Sequence, residues 1–179
     1  MDEILKNNVY RILELFIENP NKDFSVRGIA RKLDLSHATV IKYISNLFSL
    51  NLIKKKNDTL YPTYYANTES DKCKFYKKNY MTFKIKESSV IEYIQKQTLA
   101  SSIILFGSCA KGVFTEKSDI DIFVEAKESS LGITKYEKKL NRKINLLFEA
   151  KIDNLSNELR NNIINGIVLY GFIRVNGGK

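Results

Sequence analysis

Apolar residues recur at helical spacing from the start of the chain. Ile4, Leu5, Val9, Ile12, Leu13 and Phe16 form one stripe, and Asn19-Pro20-Asn21 ends it, which predicts an amphipathic helix over 4–18. Ser25 has the side chain of a good N-cap and opens a second helix with Ile29, Ala30 and Leu33 inward. Ser36 opens a third with Val40, Ile44, Leu47 and Phe48 inward. His37, Thr39, Lys42, Tyr43 and Asn46 are left facing outward. Leu52 to Lys56, the pair Asn57-Asp58, and Thr59 to Tyr65 then read as strand, turn and strand. The stretch after Asn67 is polar and lysine-rich, but Cys73, Phe75, Tyr76 and Tyr80 punctuate it too often for a disordered linker, so 67–87 reads as an ordered helical connector. Beyond it, Ser88-Ser89 caps a helix carrying Val90, Ile91 and Ile94 inward. Ile103 to Phe106 is a buried strand stopped by Gly107, Ile120, Ile122 and Val124 alternate as a second strand, Tyr136 to Lys143 is a charged helix, and Ile144 to Glu149 is a third strand.

These patterns separate an N-terminal region of three helices and a hairpin, 1–66, from a strand-rich region, 88–179. The fold class expected is α+β in two domains. In the first, a helix with a polar, basic and hydroxyl-bearing face follows a short turn, as a recognition helix in the DNA major groove does. Ser25 to Leu52 resembles the helix-turn-helix of many archaeal and bacterial regulators, and with the hairpin the region resembles a winged helix-turn-helix domain. The resemblance implies double-stranded DNA as partner, contacted by His37, Thr39, Lys42 and Tyr43 of the third helix and by Lys54, Lys55 and Lys56 of the wing. The competing reading is a protein-docking winged helix.

The stretch Ile103 to Glu125 carries the densest chemistry. Gly107 lets a ligand approach the backbone, and Ser108 offers a hydroxyl and an amide at a helix start, where phosphate is favoured. Ten residues separate Ser108 from Asp119, and Asp119 and Asp121 share one strand face. Two hard carboxylates at that spacing suit Mg²⁺ that also takes water and phosphate oxygens.

Gly107, Ser108, Asp119 and Asp121 together resemble the signature of the DNA polymerase beta-like nucleotidyltransferase superfamily, in particular its minimal bacterial and archaeal members. The Lys111-Gly112 step and the segment Asn161 to Gly171 extend that resemblance over roughly 88–171. It implies a mixed sheet flanked by helices, a nucleoside triphosphate bound by Gly107, Ser108 and Lys111, and catalytic Asp119 and Asp121 holding Mg²⁺ or Mn²⁺. In the family a third carboxylate sits on the next strand, and here that position is Asn145, a metal ligand through its amide oxygen but no base. Glu149 is four residues further along, ~13 Å away at ~3.3 Å per residue, too far to replace it. The functions implied are a DNA-binding protein with a nucleotidyl-transferring domain, a transcriptional regulator with a non-catalytic nucleotide sensor, or an antitoxin-like transferase that modifies a partner protein with AMP.

Composition changes this picture little. Lys and Arg number 29 against 20 Asp and Glu, a net charge of +9, which suits nucleic acid but is spread along the whole chain. No apolar run approaches the ~20 residues of a membrane span. The acidic start, Met1-Asp2-Glu3, is unlike a signal peptide, so the expected setting is the cytoplasm. Cys73 and Cys109 have no metal-like spacing and are expected as free thiols. Tyr61, Tyr64, Tyr65, Tyr76 and Tyr80 are expected to pack between domains or between subunits of a homodimer.

Overall fold

The computed structural model describes residues 7–57 and 60–174. These fall into two units, one up to Tyr76 and the other from Lys77 onward.

In the first unit, α1 (Asn8–Glu18) begins at Asn7, whose side chain accepts from the Val9 amide. Ile4 and Leu5 of the expected stripe lie outside the described residues. The helix is buried on more than one face, since Leu15 and Ile17 are enclosed along with Ile12, Leu13 and Phe16. Ser25, in the short strand β1 (Phe24–Ser25), caps α2 (Val26–Leu33) by accepting from the Gly28 amide, and Ser36 caps α3 (His37–Ser49) by accepting from the Thr39 amide. Each hydroxyl satisfies a helix-start N–H that has no intrahelical acceptor. Arg11 donates to the Leu33 carbonyl at 2.8 Å, which places a cation at the C-terminal end of α2.

Strands β2 (Ile53–Lys56) and β3 (Thr63–Ala66) pair antiparallel as the expected hairpin, with β1 added on the far side of β3. The second strand runs from Thr63, and Asp58 and Thr59 of the expected turn and strand start lie outside the described residues. One inward assignment fails. Phe48 is 50% exposed, because it sits with Ile41 on the flank of α3, where it lines a cavity of about 270 Å³ with Val26, Lys55 and Tyr64. The core side of the helix is held by Val40, Ile44 and Leu47 alone. Ala30 and Leu33 are half-buried, leaving Ile29 as the enclosed residue of α2.

Helix α4 (Asp71–Ser88) runs through the expected connector, and the second unit begins within it at Lys77. Cys73, Lys77, Met81 and Ile85 are buried at four-residue spacing, so a lysine occupies a core position of the stripe. Phe75 is exposed. Helix α5 (Val90–Thr98) buries Val90, Ile91 and Ile94 as expected. Its first turn is served by Ser88, whose buried hydroxyl accepts from the Val90 amide, while Ser89 takes a left-handed conformation without a side-chain cap.

The second sheet has the order β6-β5-β4-β7, built from β4 (Ser102–Phe106), β5 (Ile120–Glu125), β6 (Ile144–Glu149) and β7 (Ile167–Gly171). β5 and β6 are parallel and the other pairs antiparallel, so the class is mixed α+β. Ile120, Ile122 and Val124 are fully buried. Phe123 is fully buried too, because the opposite face is covered by Ile104, Ile152 and Ile163. Helices α6 (Gly107–Lys111), α7 (Thr134–Leu140) and α8 (Asn157–Ile164) complete the unit. Both cysteines are free and buried. Among the described residues no helix is long and apolar enough to cross a membrane.

Candidate active site

Strand β4 ends at Phe106, and the chain turns at once into α6 through Gly107, whose φ is +69°. A Cβ at Gly107 would lie 2.5 Å from Asp121 Oδ2, so another residue here would push the carboxylate aside and strain the positive φ. Phe106 and Asp121 are direct partners in the β4–β5 ladder, which explains the proximity. Helix α6 is only five residues long, so its macrodipole is small, and the main-chain N–H groups of its first turn are what it offers an anion. Ser108 is half-buried there, and Lys111 is exposed at the opposite end of the helix. Gly112, at φ +71°, closes α6 in the left-handed conformation.

Asp119 immediately precedes β5 and Asp121 is its second residue. Asp121 is opposite Asn145 in the parallel β5–β6 register. The Asn145 amide donates to Asp121 Oδ1 at 3.0 Å and to Asp119 Oδ2 at 3.4 Å. The structure thus brings Asp119, Asp121 and Asn145 into one cluster beside Gly107. In this arrangement the amide N–H₂ partly offsets the repulsion between two carboxylates, a role that a third carboxylate could not perform without a cation. Among the described residues, no group of three His, Cys, Asp or Glu side chains is placed to hold a metal. The donor set fits a hard divalent cation through two carboxylates, with the neutral amide beside them.

Glu149 is engaged elsewhere. It accepts from Asn154 Nδ2 and from the Ala150 amide, both at 2.8 Å, and these hydrogen bonds hold its carboxyl below the ordinary range. Cys109 is fully buried behind the site. Its thiol donates to the Asp119 carbonyl at 3.4 Å, and burial pushes it up to about 11, which makes it inert as a nucleophile.

Two cations near the cluster escape a reading of the sequence. Lys77 is 1% exposed and Arg142 8% exposed, and both engage the segment joining α6 to β5. The only linear signal for Lys77 is its place in the Cys73–Met81–Ile85 stripe. Arg142 looks like any basic residue at a helix end.

The residues expected to meet DNA are differently placed. His37 and Lys42 are exposed on α3, and Thr39 and Tyr43 are half-buried. Thr39 Oγ1 also hydrogen-bonds the capping Ser36 at 2.8 Å. The three lysines of β2 do not act alike: Lys54 is paired with Glu69, Lys56 with Asp23 at 3.2 Å, and Lys55 lines the Phe48 cavity. The hydrogen bond that Lys54 donates to Glu69 raises the Lys54 ammonium and lowers the Glu69 carboxyl.

Residues 87–170 match the family model of a nucleotidyltransferase domain. No curated protein matches the chain. The match spans the sheet and the Asp119–Asp121–Asn145 cluster, and supports nucleotidyl transfer as a general activity. Domains of this class generally use Mg²⁺ and nucleoside triphosphates.

Proposed function

We propose, with a nucleotidyltransferase domain as the premise, that the second unit binds a nucleoside triphosphate with Mg²⁺ and transfers its nucleotidyl group to an acceptor hydroxyl. The observation that carries this is the convergence of Asp119 and Asp121 on Asn145 beside a glycine turn where a side chain would displace the Asp121 carboxylate. Asp119 and Asp121 would hold the cation, and the Asn145 amide, whose N–H₂ faces both carboxylates, would have to turn over to add its oxygen as a neutral third donor. Mg²⁺, or Mn²⁺ in its place, supplies charge neutralisation of the triphosphate and of the leaving group. The Gly107 backbone and the Ser108 amide and hydroxyl receive the phosphates, with Lys111 as an exposed countercharge. The acceptor oxygen forms a bond to the α-phosphorus as the bond to pyrophosphate breaks. Asn145 cannot take the acceptor's proton, which therefore leaves to solvent.

Incubation with each α-labelled nucleoside triphosphate and Mg²⁺, with and without host lysate, should label a macromolecule, and Asp119→Ala should abolish the label. The lysate arm reveals a protein acceptor if there is one. Absence of both label and calorimetric nucleotide binding would remove this reading.

A second reading, a sensor that binds the nucleotide without transfer, is favoured by one observation. Asn145 supplies a hydrogen-bond donor where a base is expected. Binding without transfer in the wild type would decide for it.

For the first unit we propose a winged helix-turn-helix that binds double-stranded DNA through α3 and the β2–β3 hairpin. The Ser36-capped helix with exposed His37 and Lys42 supports this. Exposed pairs such as Lys54–Glu69 are screened by solvent and weak, so phosphates compete for these lysines at little cost. The double substitution Lys54→Ala with Lys55→Ala should lower the salt dependence of binding by ~0.9 for each phosphate it leaves unneutralised. Unchanged gel shifts and salt dependence would argue for protein docking.

A further inference from the structure

The segment from Gly112 to Asp119 joins the phosphate end of the site to its carboxylate end, and its carbonyls are held by buried cations. Lys77 Nζ donates to the Phe114 carbonyl at 2.5 Å. Arg142 Nη1 donates to the carbonyls of Thr115 at 2.6 Å and Ser118 at 2.8 Å. Both cations lie over the ring of Phe114, fully buried, with Lys77 Nζ 4.5 Å and Arg142 Cζ 5.0 Å from its centroid. The segment is further closed by its own turn, in which the Thr115 amide donates to Ser118 Oγ at 2.9 Å, and by the Val113 amide bonded to the Ser108 carbonyl.

Burying two cations is costly unless they are fully engaged, and ordinary packing of one loop does not require it. Here they join three parts of the chain at one point. Lys77 comes from α4, Phe114 from the loop, and Arg142 from the connection between α7 and β6, three residues before Asn145. We infer that Lys77 and Arg142 are positioning residues that set Asp119 against Asp121 and Asn145 by clamping the Phe114–Ser118 loop. Charge-assisted bonds to backbone carbonyls suit this task because they are short and directional. The inference rests on the nucleotidyltransferase reading for its functional consequence, but not for its geometric one.

The test uses the full chain with Arg142→Met, Lys77→Met and the conservative Arg142→Lys. The first readout is the side-chain amide resonance pair of Asn145, which reports the placement of both carboxylates and needs no nucleotide. Arg142→Met should shift that pair and speed hydrogen exchange at Ser118 and Ile120, leaving Ile104 and Phe123 protected, and Arg142→Lys should restore part of both. The second readout is transfer. Misplacement of a reacting group by ~1 Å costs up to ~100-fold in rate, so kcat should fall at least tenfold with KM for the triphosphate little changed. If Arg142→Met and Lys77→Met leave the Asn145 signals in place, the clamp is overturned, whatever the transfer rate. If either destabilises the whole sheet, with exchange rising equally at Ile104 and Phe123, the role is structural and the inference also fails. A wild type that transfers nothing, with the Asn145 shift still present in Arg142→Met, would fault the proposed activity and leave the positioning intact.

Discussion

At the scale of single residues, the site depends on two that bear no charge. Gly107 is confined by the Asp121 carboxylate at 2.5 Å from where a Cβ would stand, and by a positive φ that disfavours every other residue. Gly107→Ala should cost about 1–3 kcal/mol of stability by urea denaturation and weaken Mg²⁺-nucleotide binding by calorimetry. Normal binding would show that the turn is not where phosphates approach. Asn145 is the residue that separates enzyme from sensor. Asn145→Asp replaces a donor with a third carboxylate, which removes the bridging hydrogen bonds and adds like-charge repulsion that a cation relieves. The variant should be less stable without Mg²⁺ and gain more stability from it than the wild type, as read by thermal melting at several Mg²⁺ concentrations. If the wild type binds without turning over, the same variant should create transfer. Robust wild-type transfer that Asn145→Asp does not improve would mean that the activating group lies elsewhere.

At the scale of elements, the site stands on the central strand pair and on what covers it. β4 is bound on one side by β5 and on the other by β7, and the turn from α8 into β7 passes through Gly166. A Cβ on Gly166 would lie 2.4 Å from the Leu105 carbonyl and 2.8 Å from that of Ile163, both backbone atoms that cannot yield without moving the strand. Gly166→Ala should therefore destabilise the chain by about 3 kcal/mol, checked by urea denaturation, with amides of Ile104 and Leu105 losing protection. A loss below about 1 kcal/mol would mean that β7 shifts register at little cost. Helix starts behave more locally. Ser25 and Ser36 are legible as caps because a cap needs only its own side chain and an amide two or three residues on. Ser88 is less so, since it acts from the end of one helix on the start of the next while its hydroxyl also donates to the Ile85 carbonyl.

At the scale of the molecule, burial changes the alkaline limit of stability. The Cys109 thiol ordinarily titrates at 9.0 and is pushed up to about 11 by burial. Between those values the unfolded chain has released a proton that the native chain retains. The stabilisation is therefore fully present below pH 9, and it is lost as pH rises through about 11. Its size is roughly 2–3 kcal/mol. Urea midpoints at pH 8 and pH 11 should fall further for the wild type than for Cys109→Ala, the comparison cancelling the common loss of lysine charge. Equal falls would show that the thiol is not enclosed.

What the sequence by itself determined is whatever depends on neighbours along the chain. The capping serines, the apolar runs of β4 and β6, the alternation of β5, and the spacing from Gly107-Ser108 to Asp119 and Asp121 are all of this kind, because helix and strand periods act over a few residues. What only the tertiary structure decided depends on partners distant in sequence. Phe48, which helical spacing groups with Ile44, is half exposed and lines a cavity with Val26 and Tyr64, residues of other elements. Lys77 is buried because Phe114, 37 residues away, supplies both a carbonyl and a ring. Asn145 is set against Asp121, 24 residues away, by the parallel register of β5 and β6. In each case the free energy of the side chain is settled by contacts that exist only once the sheet has closed, and no local period encodes them.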